Sequence, residues 1–173
     1  MSPSSWQASL QNLLNRQAAE SRLAIVGIGN TFRSDDAAGI LVARALATSR
    51  LLPDPKPVLV IDAGHAPENC TAELRRYAPD IVLLIDAVEM GEKPGSIRWV
   101  DMDEIEGMSA STHSLPLSML ASYLNWELKC EVTLLGIQVK SNDVGEIVDL
   151  NVLRAVNEIV SAVTEAVLAS IPA

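Results

Sequence analysis

Short apolar runs separated by polar turns set the plan of the chain. Leu23–Ile28, Pro57–Ile61, Ile81–Ile85 and Val132–Ile137 are nearly unbroken in apolar residues. Runs this short and without alternation predict strands buried on both faces. Between them, residues 36–47 and 68–77 carry apolar side chains at helical spacing. Strands alternating with helices predict right-handed crossovers and a parallel sheet. The middle of the chain breaks this rhythm. Pro94-Gly95 marks a turn, and Ser96–Val100 alternates like a strand with one wet face, so it is expected as an antiparallel edge strand. Ser114-Leu115-Pro116 opens a further helix, with Ser114 as its cap and Leu117, Leu120 and Leu124 facing inward. The last helix is expected over Leu150–Leu168 on a stripe of Leu153, Val156, Ile159, Val160 and Val163. At the other end, Trp6, Leu10, Leu13 and Leu14 define an amphipathic helix packed on the outside of the domain, with Ser4 or Ser5 as cap. The expected fold is a single α/β domain over residues 1–173. It has a mostly parallel twisted sheet of about five strands, helices on both faces, and an extension helix within residues 1–21.

Composition narrows the function. Aromatic residues make up 3%, so the core must be aliphatic. Thirteen basic against 22 acidic residues give a net charge of −9, and Arg75-Arg76 is the only basic pair. Nucleic acid and anionic membranes are poor partners for such a chain. No apolar stretch approaches the length of a membrane span, and Met1–Trp6 lacks the basic and apolar regions of a signal peptide. Cys70 and Cys130 share no metal-binding spacing and read as half-buried thiols in a reducing compartment. A cytoplasmic protein is expected.

Candidate chemistry collects where the strands end. In open α/β sheets, ligands bind beyond the carboxyl ends of the strands. Gly27–Asp36 follows the first strand, Asp62-Ala63-Gly64-His65 the second and Asp86-Ala87 the third, while His113 lies in the loop before the Ser114 helix. The Gly27-x-Gly29 pair resembles a dinucleotide loop only weakly, because Phe32 stands where a third glycine belongs and Asp35-Asp36 would repel phosphate. One of these two aspartates is expected as a helix N-cap, which leaves the other for the crevice. The positive end of a helix disfavours an imidazolium at His113, and a neutral imidazole there suits metal ligation or proton acceptance. Two carboxylates and an imidazole could hold a borderline divalent ion with positions left open. The run Asp101–Glu106 holds four acids in six residues and reads as a helix start rather than a cation site. No Gly-x-Ser-x-Gly elbow is present, which argues against acyl-enzyme chemistry.

Gly27-Ile28-Gly29-Asn30, Asp35-Asp36 with Gly39, Ile61-Asp62-Ala63-Gly64, Ile85-Asp86-Ala87 and Thr112-His113 occur in this order. Together they resemble the [NiFe]-hydrogenase maturation endopeptidases. Ala66-Pro67-Glu68-Asn69, Met90-Gly91, Pro94-Gly95, Ile97-Arg98 and Leu135-Gly136-Ile137-Gln138 are similar to the hydrogenase 3, formate-hydrogenlyase, subgroup. The resemblance implies an endopeptidase that removes the C-terminal extension of a hydrogenase large-subunit precursor after nickel insertion. It assigns Asp36, Asp86 and His113 as catalytic residues and metal ligands, with Asp62, Gly29 and Asn30 in support. The metal would be chiefly the nickel of the precursor, with other divalent ions able to occupy the site. Asp86 is the first choice for a general base. His65 and Ser34 depart from the pattern, and residues 139–146 are less similar. Two alternatives are a non-catalytic metal- or nucleotide-binding module and a metal-dependent hydrolase of small substrates.

Overall fold

The structure is a computed structural model that describes residues 5–16, 21–53, 58–101, 104 and 116–170. Five strands form one sheet: β1 (Leu23–Ile28), β2 (Leu59–Gly64), β3 (Ile81–Val88), β4 (Ile97–Asp101) and β5 (Glu131–Gln138). Their order is β2-β1-β3-β5-β4, with β2, β1, β3 and β5 parallel. Strand β4 runs antiparallel to β5 at the edge, as its alternating pattern predicts. All six residues of β1 and all eight of β3 are buried. This is why those runs contain almost no polar residues.

Helices cover both faces. One face packs Leu23, Ile25, Ile81, Leu83 and Ile85 against α1 (Ser5–Arg16), α2 (Ala38–Thr48) and α5 (Leu150–Ser170). The other packs Ala24, Val26, Val82 and Leu84 against Leu74 of α3 (Thr71–Tyr77) and Leu117, Leu120 and Leu124 of α4 (Leu117–Leu128). Alternate residues of each strand thus serve different layers, as the pleat requires. Helix α1 is more than an outer layer: Trp6, Leu10, Leu13 and Leu14 are all buried in the larger cluster, beside α5 and β4.

The sequence reading differs from the structure in several places. The inward stripe of α5 is centred on Val152, Ala155, Val156, Ile159 and Val163, with Leu153 and Val160 at its margin. Strands β2 and β3 run past Asp62 and Asp86, so both aspartates lie inside strands rather than after them. Both cysteines are free and fully buried, deeper than expected. Burial pushes the Cys70 thiol up to about 11 and raises that of Cys130 as well. Pro116, without a side-chain cap bond, precedes α4. Ser114 and most of the acidic run after Asp101 lie outside the described residues. Among the described residues, no helix is long and apolar enough to cross a membrane.

Candidate active site

The site begins with the strand order. Strand β1 sends its crossover to β2 on one side, and β3 returns to β1 on the other. In open sheets of this kind the ligand crevice lies at the carboxyl ends of the strands where the connections diverge, which here are β1 and β3. Helix α2 is set hard against this point. A methyl group on Gly39 would lie 2.1 Å from the Ile85 carbonyl oxygen and 2.3 Å from that of Ile28. No side chain fits in that space, so glycine there lets the start of α2 rest on the ends of both strands. The turn Ser34–Ala37, which carries Asp36, thereby lies against β3, the strand in which Asp86 follows Ile85.

The loop that carries Asp36 is tightly wound. The Gly29 N–H donates to the Gly64 carbonyl at 2.9 Å, and the Asn30 N–H to the Asp36 carbonyl at 3.0 Å. The Phe32 N–H donates to Asn30 Oδ1 at 3.0 Å, and the Asp36 N–H to the Arg33 carbonyl at 2.9 Å. Gly29 has φ +149°, and a side chain there would strike the Asp36 carbonyl oxygen at 1.8 Å. Gly29 and Asn30 therefore shape the backbone of Asp36. The same bonds count against a phosphate cradle. The amides of residues 29, 30, 32, 33, 35 and 36 donate to oxygens of the chain itself.

The paired aspartates divide their work in an unexpected way. Both are buried in a short 3-10 turn, Ser34–Ala37, that leads into α2, and neither forms the N-cap hydrogen bond anticipated for one of them. Asp35 instead reaches across to the connection between β5 and α5. Its carboxylate accepts the N–H groups of Lys140 at 2.7 Å, Ser141 at 3.1 Å and Asp149 at 2.7 Å. Burying a charge is tolerable when several donors surround it. Asp35 is a structural clasp, while Asp36, in the same turn, is buried without taking part in it.

Asp86 is wholly buried, and its Oδ1 accepts the adjacent Ala87 N–H at 2.9 Å. It continues the side of β3 on which Val82 and Leu84 meet α4. The segment leading into α4 contains His113, which lies outside the described residues. Among the described residues, no three His, Cys, Asp or Glu side chains gather as a metal site. A pair of buried carboxylates is a hard, anionic donor set, and an added imidazole would shift its preference toward borderline divalent ions such as nickel.

Asp62 stands apart from this pair. It pairs with Arg44 of α2 at 2.7 Å and caps its own turn by accepting the Gly64 N–H at 3.1 Å. His65 is exposed in the following turn. Sequence reading passed over Gln138 as a structural residue. It is buried at the end of β5, accepts the N–H groups of Met90 at 2.7 Å and Glu92 at 3.1 Å, and donates to Glu89 Oε1 and the Val139 carbonyl. It thereby pins the turn that follows Asp86. Local sequence gives no sign of what Asp35 and the Gln138 side-chain oxygen bind, because those N–H donors are over 40 residues away.

Comparison with known proteins bears on the family and the fold. The family model described as hydrogenase maturation protease matches residues 40–170. This chain belongs to the hydrogenase maturation proteases. The hydrogenase 3 maturation protease of Escherichia coli K12 is 41% identical over 113 residues, which are 64% of this chain and 69% of that protein. The crystal structure of a [NiFe] hydrogenase maturation protease from Thermococcus kodakarensis KOD1 superimposes with a TM-score of 0.79 at 30% identity, covering 91% of this chain and 99% of that one. The solution structure of an Escherichia coli endopeptidase gives 0.73 at 32% identity, covering 83% and 90%. These likenesses establish the family and the five-stranded α/β fold. Asp86 falls inside the span matched by the hydrogenase maturation protease model, and Asp36 lies four residues ahead of it.

Proposed function

We propose that this protein is an endopeptidase that removes the C-terminal extension of a [NiFe]-hydrogenase large-subunit precursor after nickel has been inserted. The observation that carries the reading is the pair of buried carboxylates, Asp36 and Asp86, at the divergence of β1 and β3 in a chain of this family. In this reading nickel arrives with the substrate and marks it as ready. Asp36, Asp86 and His113 bind it and so fix the position of the nearby peptide bond. Such positioning can supply a large share of a rate enhancement.

Hydrolysis then needs a water to attack the scissile carbonyl. One proton passes to a base and one to the leaving amine as the C–N bond breaks. Asp86 is assigned as that base because it is a wholly buried carboxylate on the strand paired with β1, whose following loop carries Asp36. Asp62 is left out of the chemistry, since Arg44 engages it on the α2 side. A nucleotide-binding module is the weaker reading, because the loop amides that would cradle a phosphate already serve the fold.

The decisive assay incubates the protein with the cognate precursor, with and without nickel, and reads intact mass. Loss of a C-terminal peptide from the nickel-loaded precursor alone is the expected result. Cleavage of both forms equally would overturn the nickel check. Cleavage of neither, with folded enzyme and the correct partner, would overturn the endopeptidase reading.

A further inference from the structure

Residues 32–35 and the connection 139–150 are laced into one surface. Besides the Asp35 clasp, Arg33 Nε donates to the Asn142 carbonyl at 3.2 Å, Ser34 Oγ to the Ile147 carbonyl at 3.0 Å, and the Gly145 N–H to the Phe32 carbonyl at 3.1 Å. The backbone here is well tied, yet its large apolar side chains point outward. Phe32 is 78% exposed, Val144 74%, Ile147 91% and Leu150 70%. The Gly145–Phe32 bond ties the Val144-Gly145 turn to the backbone of Phe32, and Ile147 and Leu150 line a groove of about 390 Å³ together with Ser34 and Asp35. Apolar side chains held out on a braced scaffold cost little further ordering when something covers them.

We propose that this surface docks the substrate protein, as an extended segment with apolar side chains lying next to the bond to be cut. The inference rests on the endopeptidase reading above and deepens it. Two features single out this occupant. The patch is continuous with the active site, since Phe32 and Asp36 belong to one hydrogen-bonded loop. Its charge is also one-sided. Arg33 and Lys140 are outnumbered by Asp35, Asp36, Asp143, Glu146 and Asp149, and Lys140 is already paired with Asp149 at 2.9 Å. A neutral or basic segment is therefore favoured over an acidic one.

The test compares wild type with Phe32→Ser, Ile147→Ser and the double variant, using nickel-loaded precursor. Leu51→Ser serves as control, since Leu51 is 74% exposed beyond the far end of α2. The double variant should raise KM about tenfold or more with kcat kept, as loss of anchoring contacts predicts. Leu51→Ser should leave both constants unchanged. Precursor binding is measured separately by calorimetry, so the two readings can fail apart. If wild type binds the precursor without cutting it, and the double variant loses binding, docking stands and the endopeptidase reading falls. If wild type cuts and the double variant cuts with the same KM, the docking surface is refuted. A wild-type dimer that the substitutions split, with KM unchanged, would give this face to a second copy and refute it equally.

Discussion

Strands β2 and β3 carry the same tripeptide at the same end, Ile61-Asp62-Ala63 and Ile85-Asp86-Ala87, yet their aspartates live in opposite environments. Gly27 of the strand between them is in register with Asp62 on one side and Ile85 on the other. Residues in one row of a sheet point to one face, so Asp62 shares its side with Ile85, and Asp86, one residue further on, faces the other way. The consequences follow from that single offset. Asp62, on an edge strand, meets Arg44 of α2 in partial contact with solvent. Asp86, on a strand flanked by two others, is wholly buried on the side of α4. Identical local chemistry thus becomes a surface ion pair in one place and a candidate catalytic carboxylate in the other.

The largest expected effect tests the contrast directly. Asp86→Ala should reduce the cleavage rate of nickel-loaded precursor about a thousandfold, in the range for loss of a general base. Asp62→Ala should change it less than about threefold, in keeping with a surface ion pair. Both are read by intact mass on variants whose circular dichroism matches wild type. Equal losses would erase the distinction between the two strands.

A second contrast lies within the adjacent pair. Asp35→Ala strands three part-buried N–H donors, so it should lower unfolding stability by about 2–3 kcal/mol in urea titration. Asp36→Ala removes a carboxylate assigned to the crevice and should act on cleavage far more than on stability. A reversal of these two profiles would exchange the roles given to the pair.

The smallest effect sharpens the first comparison from the stability side. Arg44→Ala should cost under about 1 kcal/mol, because the Arg44 and Asp62 side chains keep 58% and 32% of their exposure. The difference from wild type should shrink further in high salt. A larger loss would mean that the Asp62 side of the sheet is an organised site after all.

Much of this was legible in the residues alone. Continuous apolar runs betrayed β1 and β3 because both are buried on two faces. The alternation of Ser96–Val100 betrayed the edge strand β4 because only one of its faces is covered. The loop after β1 and the aspartates near the strand ends could be picked out because strand ends in such sheets are where ligands bind, and the family resemblance then named Gly29, Asn30, Asp36 and Asp86. From local position alone Asp35 and Asp36 could not be told apart, since an N-cap is the local explanation for an aspartate before a helix. The partners Asp35 found were the amides of Lys140, Ser141 and Asp149, more than a hundred residues away. For the same reason Gln138 looked like an ordinary strand end, and residues 139–150 looked like a mere connection.

The sequence by itself determined the layer architecture, the five strands and the family, because these depend on periodicities and motifs that are local along the chain. Only the tertiary structure decided which aspartate is buried within the sheet, which one clasps a distant loop and which one turns to the wet side. Those choices depend on strand register and on backbone donors brought in from elsewhere, and a one-residue shift in register reverses a side chain's face without altering any local pattern.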